Sequence, residues 1–484
     1  MKKLTALAVI AVFVLTSVVL PCDRVWAEPW EPQATIDTSW FDFRNVKKTY
    51  KIRTEAQLAG LASLVNEEQP FWKPNHIEDF EGVEFILEKD IKLYRRWTPI
   101  GSGSVTTFKG TFNGNGHKIT NLIVYPEYNY VGLFGNLSGT VTDLTVDGTV
   151  VSDYPCTGSI AGRLQEGGQI TKCSSTVTVQ GKEKAGGIVG ENRGGTVDLC
   201  SNHGNVSGSF NVGGITGENF GGIISRCSNS GEIFTSERSI GTYGTGGIAG
   251  RSVGGSSVIT ETYNKGKINS ATEGTGGIAG YTNANGAIIS NCYNTGDLIE
   301  TDPEEGNKTS EAYIGGIIGI IGDNGVHLSN CYNIGEAFGA DATGGVVGLY
   351  YDDDGIKPQK SIKNNFYVSS EFKYGIGKNL DSGGANIQNC ASGISLGSLS
   401  SYAPRLSDKF MKDSSGLYGN GGNPVLRWQS PIGEEDKEYV EGVSIETQKR
   451  LDKYMQEHTD SIMAGQIIID IFNTTNLLSE SLFR

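Results

Sequence analysis

A glycine-rich phrase that returns along the middle of the chain constrains the fold more than any other feature. It reads GGITGENFGGIISRCSNSGEI from Gly213, GGIAGYTNANGAIISNCYNTGDL from Gly276 and GGIIGIIGDNGVHLSNCYNIGEA from Gly315. Glycine loses more conformational freedom on folding than any other residue, so its repeated use implies a geometric need. We expect these glycines to supply positive φ at the corner of each repeat and to let neighbouring repeats approach closely.

The spacing of the phrase defines a repeat of 27 to 39 residues. The last glycine of each GGIxG phrase falls at Gly135, Gly162, Gly190, Gly217, Gly250, Gly280, Gly319 and Gly348. β-Branched pairs such as Ile223-Ile224, Val258-Ile259 and Ile288-Ile289 recur between turn residues, without a helical period. This pattern predicts a parallel β-helix with three short strands per coil and about ten coils. The glycine density excludes a helical solenoid. A propeller is the weaker alternative, because it usually needs about 40–45 residues per blade.

Stacked coils predict ladders of identical residues. Cys173, Cys200, Cys227, Cys292, Cys331 and Cys390 share one register, with Thr262 replacing one of them. If these cysteines face inward as free structural thiols, the next residue must face outward. Tyr263, Tyr293 and Tyr332 would then stack on the surface. The asparagines that follow, from Asn202 to Asn333, are expected at a corner, where asparagine tolerates the left-handed conformation and hydrogen-bonds the turn backbone.

The phrases resemble the GLUG motif of secreted bacterial proteins, as in Val131-Gly132-Leu133-Phe134-Gly135. The likeness runs over residues 48–430 and includes WTPIGS (97–102), FKGTFNGNGHKITNL (108–122) and PVLRWQ (424–429). The resemblance implies a right-handed β-helix in an exported or surface protein, without implying one activity. Some relatives look like parts of immunoglobulin-cleaving metallopeptidases, but this chain has no HExxH zinc motif.

The chain divides into five predicted parts. Residues 1–27 resemble a secretory signal peptide, with an uncleaved anchor or a lipidated Cys22 as alternatives. Residues 28–130 form a flank and the first coils. The capping-box sequence Thr54-Glu55-Ala56-Gln57 predicts a helix in this part. Residues 131–395 hold the repeats, residues 396–430 a C-terminal cap, and residues 431–484 a helical tail.

The charge balance bears on the partners. The whole chain carries a formal net charge of −14. Such an acidic chain is a poor match for nucleic acid or an anionic membrane as its main partner. We expect secretion or display at the cell surface, no membrane span once the signal is removed, and an extracellular glycan or a surface protein as partner. The oligomeric state stays open.

The matches to catalytic sequence motifs are weak. Gly250-Arg251-Ser252-Val253-Gly254 and Gly393-Ile394-Ser395-Leu396-Gly397 match GxSxG, but so glycine-rich a chain produces such matches by chance. We therefore expect no catalytic residue and no cofactor. The acidic residues Asp352, Asp353 and Asp354 are weak candidates for a Ca²⁺ site, because oxygen-rich loops can bind calcium. We favour a solvated loop for this acidic segment and for a second one, which contains Glu300, Asp302, Glu304 and Glu305.

Two functions remain open at this stage. The favoured hypothesis is a non-catalytic β-helix scaffold for adhesion or recognition, with Tyr263, Tyr293 and Tyr332 as candidate binding residues. For these three tyrosines the favoured alternative is that they only stabilise one another across coils. The alternative is a polysaccharide lyase or glycoside hydrolase, which would need carboxylates, with arginine or lysine, brought together in one groove.

Overall fold

The protein is described by a computed structural model over residues 35–429, apart from 67–79, 103–105, 125–128, 238, 256, 284–286, 302–310, 323–325, 352–360, 369, 371, 381–393, 414–419 and 421. The predicted signal peptide and the tail 431–484 lie outside the described residues. So do Cys390 and the acidic run Asp352–Asp354.

The described chain forms a right-handed parallel β-solenoid of about nine turns. One coil runs from Thr196 to Phe220 and contains five short strands rather than the three expected from the sequence. The five strands lie on four faces, which we number 1 to 4 in chain order. Face 2 holds two of the five because the chain bends between them.

Faces 1 and 2 begin with the first coils. Face 1 consists of Thr49–Ile52, Glu84–Leu87, Thr111–Asn113, Thr140–Thr142, Gln169–Thr171, Thr196–Asp198, Ile223–Ser225, Val258–Thr260, Ile288–Ser290, His327–Ser329 and Ser361–Lys363. Face 2 consists of Ile91–Lys92, Lys118–Val124, Thr145–Val151, Ser174–Ser175, Thr178–Gln180, Ser201–Asn202, Val206–Gly208, Ser228–Asn229, Ile233–Thr235, Tyr263–Asn264, Ile268–Ser270, Tyr293–Asn294, Leu298–Glu300, Tyr332–Asn333, Ala337–Phe338 and Phe366–Tyr367.

Faces 3 and 4 flank the GGIxG phrase. Face 3 consists of Tyr130–Val131, Cys156–Gly158, Glu183–Gly186, Phe210–Gly213, Ser239–Gly246, Thr272–Gly276, Tyr313–Gly315 and Ala342–Gly344. Face 4 consists of Phe134–Leu137, Ala161–Leu164, Val189–Arg193, Thr216–Phe220, Ala249–Val253, Ala279–Asn283, Ile318–Ile321, Val347–Tyr350 and Ile376–Asn379.

The core is built from ladders of aliphatic side chains. Val197 pairs in parallel with Ile170 before it and with Ile224 after it, and the same register continues through the later coils. The inward members of this face 1 ladder are all buried: Ile170, Val197, Ile224, Ile259, Ile289, Leu328 and Ile362. Each coil therefore contributes one aliphatic layer per face, and stability comes from burying these layers against their neighbours.

The glycines of the repeat serve close packing at some positions and a positive φ at others. A Cβ on Gly217 would lie 2.2 Å from the carbonyl carbon of Lys184, and one on Gly250 would lie 2.4 Å from that of Asn211. Both contacts join face 4 to face 3 of the preceding coil. Neither of these two glycines has a positive φ, but one glycine per coil at the corner between face 4 and face 1 does: Gly167, Gly194, Gly221 and Gly254 have φ between 68° and 78°. The sequence-based expectation was therefore right about close approach and right about positive φ at one corner.

A second left-handed corner, between face 1 and face 2, is filled by residues other than glycine. One residue per coil, directly before the cysteine register, has φ between 48° and 57°: Asp143, Lys172, Leu199, Arg226, Glu261, Asn291, Asn330 and Asn364. The asparagines, such as Asn229 and Asn264, do not adopt that conformation, but they hydrogen-bond the turn backbone as expected, through Nδ2 to the carbonyl oxygen two residues later. Their side chains extend into the interior. There they form a buried hydrogen-bonded ladder from coil to coil.

The cysteines face inward, as predicted. Cys173, Cys200, Cys227, Cys292 and Cys331 are buried free thiols. Each donates to the carbonyl oxygen two residues earlier, at distances of 3.1 to 3.3 Å. The tight bend before each cysteine brings that carbonyl to the thiol, so the ladder is satisfied without disulfides.

Helices occur only at the two ends of the described chain. The helix Glu55–Asn66 begins as the capping box predicts, because the amide of Gln57 donates to Thr54 Oγ1 over 3.2 Å. Leu58, Leu61 and Val65 pack into the core of the first coils. Near the other end lie two single-turn helices, Leu396–Leu399 and Ala403–Leu406, and an antiparallel pair of strands, Phe410–Lys412 and Pro424–Leu426.

Candidate functional site

The three candidate tyrosines form a stacked ladder on face 2. The ring centroids of Tyr263 and Tyr293 lie 4.9 Å apart with an interplanar angle of 3°, and those of Tyr293 and Tyr332 lie 5.0 Å apart at 5°. The expected outward stacking is therefore correct. However, Tyr293 and Tyr332 are 0% exposed, so this ladder is not a surface.

A C-terminal segment covers the tyrosine ladder. We call the described residues from 395 to 429 the clasp. Its side chains Leu399, Leu406, Phe410 and Leu426 form one apolar cluster with Tyr293 and Tyr332. The sequence predicted that this segment would cap the rod, but it lies along face 2 across several coils.

Polar contacts hold the clasp on the ladder. The hydroxyl of Tyr332 donates to the carbonyl oxygen of Pro424 and accepts a 2.7 Å hydrogen bond from Asn420 Nδ2. The Tyr293 hydroxyl donates to Gln429 Oε1 over 3.1 Å, and Trp428 Nε1 donates to the carbonyl oxygen of Glu261 over 2.8 Å. The prediction of an exposed binding strip at Tyr263, Tyr293 and Tyr332 is therefore wrong, because the chain's own clasp occupies it.

A different apolar strip is exposed on face 1. Ile223, Val258 and Ile288 occupy one outward register in three successive coils, and we call these three residues the face 1 strip. Ile223 is 42% exposed and Ile288 is 38% exposed, whereas their chain neighbours Ile224 and Ile289 are buried. The strip therefore presents aliphatic side chains to solvent at strand spacing.

A row of hydroxyl groups runs beside the face 1 strip. Ser225, Thr260, Ser290 and Ser329 share the next outward register. Thr260 Oγ1 and Ser290 Oγ are 3.0 Å apart, within hydrogen-bonding distance. Face 1 thus combines an apolar stripe with a polar stripe on one continuous sheet, a combination that suits recognition of an extended ligand.

A cluster of charged residues lies at the junction between faces 3 and 4, where the outer sides of the two faces are opposed. We call the six side chains Arg163, Lys184, Glu191, Arg193, Glu218 and Arg251 the seam cluster. Glu191 Oε2 accepts from Arg163 Nε at 2.5 Å, and Glu191 Oε1 accepts from Lys184 at 2.7 Å and from Arg193 at 3.3 Å. Glu218 accepts from Lys184 at 3.0 Å and from Arg251 at 3.1 Å.

The paired charges fix the protonation state of the buried carboxylate. Burial raises the pKa of Glu191, but the hydrogen bond from Lys184 and the charges of Lys184, Arg163 and Arg193 outweigh it, so the pKa is lowered. The same contact raises the pKa of Lys184 against the opposing effect of its burial. Both groups therefore stay charged at neutral pH, and Glu191 is 0% exposed.

The seam becomes apolar toward the C-terminal coils. Val253, Tyr281, Tyr313, Ile320 and Leu349 form a separate small cluster between faces 3 and 4. Burial and a hydrogen bond to Glu311 raise the pKa of Tyr313 to about 12. This half of the seam is filled by its own side chains.

The other motifs noted in the sequence have structural surroundings. Ser252 of the first GxSxG match is buried, and its hydroxyl lies 3.2 Å from Ser257 Oγ, while Ser395 of the second bonds to Ser398. Among the described residues, no three His, Cys, Asp or Glu side chains are grouped to hold a metal ion. The calcium candidates Asp352, Asp353 and Asp354 lie outside the described residues, and no helix in the described part is long and apolar enough to cross a membrane.

The sequence contains signals for both the face 1 strip and the seam cluster. Two adjacent β-branched residues on one strand must face opposite sides, so each pair such as Ile223-Ile224 places one of them outward. The triplets that begin at Glu191, Glu218 and Arg251 share one place in the repeat, which puts these charges in one register. The position of Lys184 in the seam cluster could not be predicted from the sequence, because it depends on how face 3 packs against face 4.

These features define a right-handed β-solenoid with a covered aromatic ladder, an exposed aliphatic strip and a charged seam. No protein-family model matches the chain. A segment of 96 residues, 19% of the chain, is 36% identical to halomucin of Haloquadratum walsbyi, and it spans 1% of that protein's length. A crystal structure from Bacteroides ovatus, of a protein provisionally named an immunoglobulin A1 protease, aligns with a TM-score of 0.41 and 16% identity, over 79% of this chain and 93% of that one.

Proposed function

We propose that the protein is an exported, non-catalytic recognition scaffold of the GLUG type, acting in adhesion at a bacterial surface. The observation that carries this proposal is the face 1 strip, an aliphatic row left exposed on a regular sheet while the equivalent aromatic row on face 2 is covered. Contiguous exposed apolar residues with a polar border are typical of interaction sites.

The strip bears on the kind of partner. Ile223, Val258 and Ile288 are aliphatic and carry no ring to stack on a sugar. Their combination with a hydroxyl row fits the mixed apolar and polar surface of a protein partner. We therefore place a surface protein ahead of a neutral glycan as the partner of face 1.

The chemistry of the seam cluster supports binding over glycan cleavage. A glycosidase needs one carboxyl group that can give up a proton and a second that reaches the substrate. Glu191 and Glu218 are brought together in neighbouring coils, as that alternative requires. Both are buried and held by cations, and the lowered pKa of Glu191 keeps it ionised. A buried carboxylate in this state is a structural counter-ion rather than a general acid.

Export is the expected route because of the N-terminal sequence. Lys2 and Lys3 precede the apolar run 4–20, and a small-residue site ends at Ala27. A soluble rod with an acidic surface suits an extracellular location. Mass determination of the protein recovered from its native host would place the mature N-terminus.

Binding to immobilised surface proteins and to a glycan array, with products analysed for cleavage, tests the proposal. The variant Ile223→Thr/Ile288→Thr keeps β-branching while removing two exposed aliphatic side chains. We expect at least about a tenfold loss of affinity for the protein partner with little change in melting temperature.

Phe338→Thr is the matched control. Phe338 is exposed to a similar degree but lies on face 2, away from the strip. Equal affinity of the Ile223→Thr/Ile288→Thr variant and the unaltered protein would refute the assignment to face 1. Release of shortened glycans by the purified protein would instead support the enzyme.

A further inference from the structure

The seam cluster holds more positive charge than its carboxylates neutralise. Four cations, Arg163, Lys184, Arg193 and Arg251, surround two carboxylates, so these six side chains carry a net charge of +2. The whole chain has the opposite sign, at −14. Two cations would suffice to pair two carboxylates, so charge pairing within the cluster does not explain the other two cations.

The arginines leave hydrogen-bond donors unused. A guanidinium has five N–H donors. Among the described residues, Arg163 donates through Nε to Glu191, Arg193 through one terminal nitrogen to Glu191, and Arg251 through one terminal nitrogen to Glu218. Arg251 Nε is buried and has no hydrogen-bond partner in the described part of the chain. The four cationic side chains are between 20% and 50% exposed, so the remaining donors can reach a ligand from solvent.

Aromatic rings hold the three guanidinium groups in place. The Cζ atom of Arg163 lies 4.1 Å from the ring centroid of Tyr130, that of Arg193 lies 5.3 Å from Phe220, and that of Arg251 lies 5.7 Å from Tyr281. A guanidinium stacked on a ring keeps its edge free and loses little further freedom when it binds. Such an edge matches the two oxygens of a carboxylate or sulfate group.

The cations extend along the rod: Arg163, Lys184 and Arg193 meet at Glu191, and Arg251 lies two coils further on. Arg163, Glu191, Glu218 and Arg251 occupy one register of face 4 in four successive coils. At strand spacing, this row covers roughly 14 Å. Arg163 and Arg251 lie at the two ends of the row, so a linear ligand with repeated anionic groups can contact both, whereas one small anion cannot.

We propose that the seam cluster binds an acidic polysaccharide through its carboxylate or sulfate groups, with Arg163, Arg193 and Arg251 as the contacting residues. Glu191 and Glu218 position these arginines and do not contact the ligand. The inference is independent of the face 1 strip, which is a separate surface, and it stands or falls on its own test.

Calorimetric titration of the purified protein with polygalacturonate, dextran sulfate and neutral dextran tests this site. We expect the two acidic polymers to bind, dextran not to bind, and affinity to fall steeply with added salt. The double variant Arg163→Gln/Arg251→Gln should lower affinity for the acidic polymers at least about tenfold. Arg193→Gln should weaken binding less, and it leaves Glu191 paired with Arg163 and Lys184, so folding is preserved.

A matched control removes the same charge elsewhere. Lys51 and Arg53 both pair with Glu88 near the start of the rod, and Lys51→Gln/Arg53→Gln should leave binding unchanged. An equal loss in this control, or equal binding of dextran and dextran sulfate, would show that the seam is not the site. Inorganic sulfate that competes as well as dextran sulfate at equal sulfate concentration would overturn the assignment to a polymer.

Discussion

Asn264 and Asn294 lie one coil apart and are joined by a 2.8 Å hydrogen bond from Nδ2 of the first to Oδ1 of the second. The same nitrogen also donates to the carbonyl oxygen of Gly266, and Asn264 Oδ1 accepts from Asn229 Nδ2. Every polar atom of this buried amide is therefore used. The ladder connects coils through side chains in the direction that the backbone hydrogen bonds also follow.

Asn264→Ala should lower the free energy of unfolding by about 2–3 kcal/mol. The substitution leaves Asn229 Nδ2 and Asn294 Oδ1 without their partner in a buried site, and unsatisfied buried polar groups are destabilising. Urea unfolding measures the change. Asn269→Ala is the control, because Asn269 bonds to Glu232 at the surface, and a change within about 0.5 kcal/mol is expected. Similar effects of the two substitutions would mean that the ladder adds nothing.

Gly217→Ala should be among the most damaging single-methyl additions in the chain. The new Cβ would meet backbone atoms of Lys184, which cannot move without separating faces 3 and 4. We expect a loss of about 3 kcal/mol or more, measured by urea unfolding. Gly397→Ala adds the same methyl group in a short helix where nothing lies within 4 Å, so it should be neutral or stabilising. A stable Gly217→Ala protein would disprove the close-packing explanation of the repeat.

Part of the fold could be predicted from the sequence, and part depends on contacts between distant residues. The inward position of Cys227 and Ile224 and the stacking of Tyr293 on Tyr332 follow from the repeat spacing, because stacked coils place equal positions side by side. The conformation of Leu199 was not predictable, since a left-handed leucine is set by the tight bend and not by its own preference. The position of the clasp on the tyrosine ladder could not be predicted either, because its contacts join residues more than 80 positions apart.

The ladder thiols should be inaccessible in the folded protein. Each ladder thiol is buried and engaged with a backbone carbonyl, so a reagent finds no open surface. A maleimide should label none of the six described cysteines in the native state and all of them in guanidinium chloride, as counted by mass spectrometry. Ser201→Cys places a thiol on the outward side next to Cys200 and should react quickly. Native labelling of Cys200 or Cys227 at the rate of this variant, or a disulfide between them, would contradict the arrangement.

Alkaline pH should destabilise the protein through the covered tyrosines. Burial raises the pKa of Tyr293 and of Tyr332 well above the usual value. In the unfolded chain each phenol titrates near pH 10, so the stabilisation is complete below about pH 10 and is lost as the pH rises toward the folded-state pKa values. Each phenol contributes a slope of at most about 1.4 kcal/mol per pH unit in that range.

The variant Tyr293→Phe/Tyr332→Phe isolates this effect. It should be less stable than the unaltered protein at pH 8, because the hydrogen bonds to Gln429, Pro424 and Asn420 are lost. Between pH 9 and 11, however, its urea midpoint should decline less steeply, since two of the titrating groups are gone. Tyr374→Phe, at an exposed position, should change neither quantity. If the double variant and the unaltered protein declined in parallel over this range, the two phenols would have to be solvent-accessible, and the clasp could not cover the ladder in solution.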